Sequence, residues 1–216
     1  MADPGRSEAR VIPVLLADDE TLVRAALATM LDLEDDIEVV AHVDSGAELT
    51  RLWQRRIDGG EPPAVALVDL QMPGRDGIET ATDLLEIDRD AAILVVTSHG
   101  RPGYLKRALE AGVRGFLPKT TPATTLADAI RTAHDGGRYV DPQLAAEAIS
   151  AGDSLLTPRE ADVLEYALDG AGIEQIARRA HLSPGTTRNY LSSAMAKLGA
   201  SNRYEAALKA RNLGWV

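Results

Sequence analysis

Five polar residues of complementary chemistry stand at the ends of short apolar runs. Asp18 and Asp19 follow VLLA (14–17), Asp69 follows AVALV (64–68), Thr97 follows AILVV (92–96) and Lys119 lies just beyond GFL (115–117). Three carboxylates brought together cannot stay unpaired, because each like charge disfavours ionisation of the others. A hard divalent cation resolves that conflict, and carboxylate oxygens with waters suit Mg²⁺. A lysine on a neighbouring strand end adds positive charge, so metal and ammonium together can cradle a phosphoryl group while one carboxylate attacks it. Asp69 is the best-placed nucleophile, since it ends the central run and is followed by the turn residues Met72, Pro73 and Gly74. The Thr97 hydroxyl can donate to a phosphoryl oxygen once that group has arrived.

Those ends must be positioned by the elements they terminate. Apolar runs near 14–17, 37–41, 64–68, 92–96 and 115–117 alternate with helical patterns at about 47–56, 77–87, 103–111 and 123–135. A further helix carries Leu22, Ala25, Ala26, Met30 and Leu31 at helical spacing. Short apolar strands alternating with helices predict a parallel sheet covered on both faces. Right-handed crossovers make this a doubly wound five-stranded α/β domain over residues 11–135. In such sheets the ligand site lies beyond the carboxyl ends of the strands. Any strand must end in something polar, but five complementary groups at successive ends argue for one site.

After residue 154 the strand pattern stops. LTPRE (156–160) supplies an N-cap, a proline at the first helical position and a capping-box glutamate. Further helices are predicted at 173–180, from Pro184 to about Leu198, and from about Tyr204 to Asn212, with Asn202 and Glu205 capping the last. Residues 155–216 therefore form a small all-α domain, joined to the sheet domain by a linker, 136–154, that contains a short helix. The pair of helices at 173–180 and 184–198 has helix-turn-helix spacing, with the second placed to enter a DNA major groove. Thr186, Thr187, Arg188, Asn189 and Ser192 are the early side chains expected on its exposed face. Arg188 suits guanine and Asn189 adenine as bidentate partners, whereas Lys197 and Arg203 suit phosphate.

Composition narrows the remaining classes. The 216 residues are 45% hydrophobic and 26% charged, with no cysteine and a net charge of −10. The absence of cysteine excludes disulfides, thiolate zinc sites and thiol nucleophiles. The charge is uneven: residues 155–216 carry +2 and residues 1–154 carry −12, which fits different partners for the two halves. No apolar run approaches the roughly 20 residues of a membrane span, and the polar start lacks a signal-peptide core. A soluble cytoplasmic protein with a disordered tail over 1–10 is expected. His42, His99, His134 and His181 are scattered, without metal or catalytic spacing; His99 falls beside the expected pocket.

Taken as a set, DD (18–19), VDLQMPGRDG (68–77), VTS (96–98) and GFLPK (115–119) resemble the signature of bacterial response-regulator receiver domains, which have the flavodoxin/CheY-like fold. The resemblance implies that Asp69 is the phosphoacceptor. It also implies that Asp18, Asp19 and Asp69 hold Mg²⁺ with the backbone carbonyl of Gln71, that Thr97 and Lys119 bind the phosphoryl group, and that Phe116 repacks as Thr97 moves. LTPRE (156–160), LSPGTTRNYL (182–191) and KLG (197–199) resemble the LuxR-type DNA-binding domain. Together the halves are similar to the NarL/FixJ family, and NYLSS (189–193) with the GWV ending (214–216) to its DesR-like branch. Two positions depart from the commonest receiver pattern: Glu20, where a basic or amide residue is frequent, and Pro118, where an apolar residue is usual.

The resemblance implies a transcription regulator, not an enzyme. It further implies that a sensor histidine kinase phosphorylates Asp69, and that the shift favours a homodimer binding double-stranded DNA at two half-sites, with RNA polymerase as a further expected partner. Two other readings compete: a receiver that works without phosphorylation, and a phosphate-ester hydrolase using the acidic pocket. Intact Asp69, Thr97 and Lys119 argue against the first. The lack of a substrate-binding cap, and the presence of a helical tail, argue against the second.

Overall fold

The computed structural model describes residues 11–98, 102–151, 154–213 and 215–216. The tail at 1–10, residues 99–101 including His99, which is expected beside the pocket, Gly152 and Asp153 of the linker, and Gly214 lie outside the described residues. The chain divides into two packed units. One contains residues 11–98 and 108–140, and the other contains residues 102–107, the first part of the helix there, together with the chain from Asp141 onward.

The first unit is a parallel sheet in the order β2-β1-β3-β4-β5-β6. Its strands are β1 (Ile12–Ala17), β2 (Ile37–Val43), β3 (Val65–Asp69), β4 (Ala92–Thr97), β5 (Gly115–Pro118) and β6 (Tyr139–Val140). The helices that connect them are α1 (Thr21–Leu31), α2 (Gly46–Asp58), α3 (Gly77–Ile87), α4 (Pro102–Glu110) and α5 (Ala123–His134). The expected α/β sheet is present, with one addition. Tyr139–Val140, in the stretch read as linker, pairs with Gly115 and Phe116 as a sixth strand. Two residues are too few to show an apolar period, so the strand becomes visible only through its partner.

β3 and β4 are buried along their whole length, because helices cover both faces. On one face Val14, Leu16, Leu67 and Leu94 pack with Leu27, Ala28 and Leu31 of α1 and with Leu126, Ala127 and Ile130 of α5. The alternate strand residues Leu15, Ala66, Val68 and Ile93 are equally buried on the side that faces α2 and α3. The apolar face of α1 is rotated by one position from the sequence expectation. Val23, Leu27, Ala28 and Leu31 turn inward, while Leu22 is 83% exposed. Both sets satisfy helical spacing, and only the sheet decides between them.

α3 is fixed at its start by a reciprocal cap. The Asp76 carboxylate accepts from the Ile78 and Glu79 N–H groups, and the Glu79 carboxylate accepts from the Asp76 N–H. Gly77, the first residue of α3, lies directly over the end of β3: a Cβ there would fall 2.4 Å from the Asp69 carbonyl oxygen.

The second unit contains α6 (Pro142–Ala151), α7 (Pro158–Leu168), α8 (Ile173–Arg179), α9 (Pro184–Leu198) and α10 (Arg203–Asn212). Its core is built from Leu156, Val163, Leu164, Ile176, Leu191 and small residues such as Ala194, Ala206 and Ala207. Thr157 caps α7 with Glu160 as the return partner, Ser183 caps α9 and Asn202 caps α10, each as its sequence predicts. Among the described residues, no helix is long and apolar enough to cross a membrane.

Candidate functional site

β1, β3, β4 and β5 deliver their terminal polar residues to one edge of the sheet. Asp18 and Thr97 are fully buried and Asp69 is 3% exposed. Lys119 reaches back from the end of β5, and its Nζ lies 2.8 Å from Asp18 Oδ2, 3.1 Å from Asp69 Oδ2 and 3.0 Å from Glu20 Oε1. The Lys119 N–H donates to the Thr97 carbonyl at 2.8 Å, which ties the lysine backbone to the end of β4. The Glu20 N–H donates to Asp18 Oδ1 at 2.8 Å, and Arg24 on α1 donates to the Asp18 carbonyl.

The electrostatics follow from burial. Loss of solvent pushes the Asp69 carboxyl up to about 7; the Lys119 charge opposes the rise, while the charges of Asp18 and Asp19 add to it. Burial also raises Asp18 above the usual carboxylate range, against the pull of Lys119. For Lys119, burial works against the ammonium, but hydrogen bonding to Asp18 and the charge of Asp69 outweigh it and hold the lysine protonated.

Asp18, Glu20 and Asp69 each bring a carboxylate oxygen into a group spanning no more than 4.8 Å. This all-oxygen donor set suits a hard cation such as Mg²⁺ and offers nothing to a softer metal. The third member is Glu20, where the sequence points to Asp19. Asp19 is half-buried and near enough for its charge to act on Asp69, yet it is outside the group. Gln71 is half-buried in the turn after β3. Phe116 is fully buried on β5, in register with Val95 and Val140. Glu20 stands out in the sequence as a departure from the receiver pattern and Gly77 as the last residue of VDLQMPGRDG (68–77), while Arg24 carries no such signal.

In the helical unit, His181 adopts a left-handed backbone (φ 54°) in the turn between α8 and α9. Arg188, Asn189, Ser192 and Lys197 are exposed along α9, while Thr186 and Arg203 are half-buried. Thr187 departs from the expected exposure. It is fully buried, and its hydroxyl donates to the Ser183 carbonyl at 3.0 Å. It lies one turn before Leu191 on the face that continues through Ala194, so its spacing carried the signal.

Lys197 is also committed internally. Glu160, 3% exposed, accepts from Lys197 Nζ at 2.7 Å, from the Ser193 hydroxyl at 2.6 Å and from the Thr157 N–H at 2.7 Å. Burial pushes the Glu160 carboxyl up, but its bonds to Lys197, Ser193 and Thr157 together hold it below the usual range. A carboxyl with a depressed folded pKa adds stability above its unfolded pKa, and that stability is lost as pH falls through the folded pKa. Glu160→Gln is therefore expected to destabilise the helical unit by about 1–2 kcal/mol at pH 7, given the partly exposed lysine. Thermal melts against pH check this: the gap from wild type should narrow on acidification, and a constant gap would refute the ionic contribution.

The buried strand-end carboxylates, the lysine and the doubly wound sheet define a receiver, and the second unit has the caps and turn of a helix-turn-helix module. Residues 14–131 match the response regulator receiver domain model, and residues 154–210 match that of the bacterial regulatory proteins of the luxR family. The chain belongs to the NarL/LuxR family of two-component response regulators, which are transcription regulators and not enzymes. It is 37% identical to the transcriptional regulatory protein DesR of Bacillus subtilis (strain 168), over 95% of this chain and 99% of that protein. It is 35% identical to the transcriptional regulatory protein UhpA of Escherichia coli (strain K12), over 95% of this chain and all of the other. Among solved structures, the response regulator ChrA of a heme-sensing two-component system aligns with a TM-score of 0.55 at 31% identity, covering 95% of this chain and 99% of that one.

Proposed function

We propose that this regulator is switched by phosphorylation of Asp69 by a sensor histidine kinase in the cytoplasm, and that the phosphorylated form binds DNA as a homodimer. The observation that carries the reading is the buried Asp69 carboxylate with the Lys119 ammonium at 3.1 Å, beside a second buried acid and a strand-end hydroxyl.

In the transfer, an Asp69 oxygen bonds to phosphorus as the P–N bond of the donor phosphohistidine breaks. The departing imidazole nitrogen keeps the bonding electrons and takes a proton from solvent. Mg²⁺, which Asp18, Asp19 and Asp69 would hold with the Gln71 carbonyl, supplies neutralisation of phosphoryl charge when bound. Lys119 neutralises the remaining oxygens, and burial at the strand ends limits the water that competes for the new acyl phosphate. Thr97 donates its hydroxyl to a phosphoryl oxygen, Phe116 repacks with it, and the change spreads through β4 and β5.

For DNA, the exposed face of α9 fits the major groove, with Arg188 and Asn189 toward base edges and Thr186, Ser192 and Arg203 toward phosphates. Lys197 joins them by exchanging Glu160 for phosphate, and Thr187 supports the helix from inside. Tyr204 and Leu208, one turn apart on α10, are 52% and 38% exposed and suit a two-fold contact that pairs two half-sites. RNA polymerase is the further partner such a regulator addresses.

The test is intact mass after incubation with acetyl phosphate and Mg²⁺, with elution volume recorded on the same samples. One phosphoryl adduct, absent in Asp69→Ala and accompanied by a shift toward dimer, is the expected result. An adduct that survives in Asp69→Ala, or an unmodified protein that already binds DNA as a dimer, would overturn the reading.

A further inference from the structure

The Lys119 ammonium faces three carboxylates, Asp18 at 2.8 Å, Glu20 at 3.0 Å and Asp69 at 3.1 Å. Glu20 accepts a side-chain hydrogen bond from it. A phosphoryl group on Asp69 must compete for this ammonium with the carboxylates already facing it. Asp18 has no solvent exposure to retreat into, and Asp69 is the residue that carries the phosphoryl group. The Glu20 side chain is 58% exposed, so it can return to water at small cost.

Helix capping does not account for Glu20. It occupies the N-cap position of α1 with extended backbone (φ −80°, ψ 100°), and its side chain makes no capping hydrogen bond. Glutamate is also outside the residue types that favour this position. Its backbone is instead fixed by the N–H bond to Asp18, which leaves the side chain to reach Lys119.

We infer that Glu20 is a displaceable occupant of Lys119, holding the ammonium in the unphosphorylated protein and competing with the phosphoryl group for it. Glu20 is thus a positioning residue that sets how readily the phosphorylated state forms. The inference rests on the phosphorylation reading above.

The experiment is calorimetric titration of the full-length protein with beryllofluoride, a phosphoryl mimic, at saturating Mg²⁺. Wild type, Glu20→Gln, Glu20→Ala and Asp69→Ala are compared at low and at high salt. Both Glu20 variants are expected to bind about two- to fivefold more tightly than wild type at low salt. The gain should shrink in about 0.5 M salt, because an exposed ion pair is screened while a packing change is not. Equal or weaker binding in the Glu20 variants would overturn the inference. So would a gain in Gln alone, or a gain that ignores salt. Failure of wild type to bind at all, or binding retained by Asp69→Ala, would instead overturn the phosphorylation reading and this inference with it.

Discussion

Lys119→Met is expected to lower the thermal midpoint of the metal-free protein, and Asp69→Asn to raise it. The two substitutions act on one pocket with opposite signs, because a single ammonium faces three carboxylates there. Asp18 and Asp69 are buried, so removing Lys119 leaves two desolvated acids without a countercharge. Breaking a buried pair in this way costs about 3 kcal/mol, which in a chain of this size lowers the midpoint by roughly 6–12 °C. The deficit should be larger at pH 8 than at pH 6, since the orphaned acids escape by taking up protons at the lower pH. Asp69→Asn removes one of the crowded negative charges and keeps the shape, for a gain of about 1–2 kcal/mol. Melts in chelator and then in excess Mg²⁺ check both changes. Mg²⁺ should stabilise wild type more than Asp69→Asn, since the variant lacks one of the carboxylates a cation neutralises. An unchanged midpoint in Lys119→Met would show that solvent, not the lysine, compensates these acids.

That pocket was legible in the sequence to the extent that its parts obey a local rule. Asp18, Asp69, Thr97 and Lys119 each stop an apolar run, and parallel strands buried on both faces have no other place to put a charge. Their convergence then follows from topology, because strands of one direction end at one edge. Glu20 obeys no such rule. Read locally it opens a helix, and its partner Lys119 lies 99 positions away. The helical unit was legible for the same kind of reason: Thr157, Ser183 and Asn202 act within three or four residues of themselves. What stayed hidden there is what depends on a neighbouring helix. Thr187 reads as a small polar residue on a recognition helix until Leu191 and Ala194 are seen to share its face. Lys197 reads as a free cation until α7 brings Glu160 to it.

The two halves use charge in different ways. In the helical unit, Glu160 is surrounded by donors, and its ionised form is the stable one. In the sheet unit the acids outnumber their donor, and Asp69 is held near neutrality by burial. The first carboxylate is satisfied inside the chain, whereas the second is left short of partners. On the proposed function this shortfall is what would make the sheet pocket responsive to a cation and a phosphoryl group, and its cost in stability is what the lysine and asparagine variants measure.

Gly77→Ala should break the same pocket through the backbone, without altering any of its charges. The added methyl would sit 2.4 Å from the Asp69 carbonyl oxygen and 3.0 Å from the Asp69 carbonyl carbon and the Leu70 Cα. These are main-chain atoms at the end of a fully buried strand, so no side chain can rotate away to relieve the contact. α3 cannot easily retreat either, because Asp76 and Glu79 lock its first turn from both directions. The strain must therefore fall on the end of β3, at about 1–3 kcal/mol for overpacking of a close-packed site. Displacement by even part of an ångström shifts Asp69 relative to Lys119 and Asp18. Adduct formation with acetyl phosphate should fall about a hundredfold, the scale on which misplacement of a reacting group is felt. Gly74→Ala supplies the comparison. Gly74 has a positive φ of 84°, but its Cβ would meet nothing within 4 Å, so the variant carries backbone strain of about 1 kcal/mol and leaves Asp69 in place. Both variants lose stability, and only Gly77→Ala should lose phosphorylation out of proportion to that loss. If their adduct rates fall together in step with their melting temperatures, Gly77 is a packing residue and nothing more. If they separate, contact between the start of α3 and the end of β3 is what holds the acceptor in line.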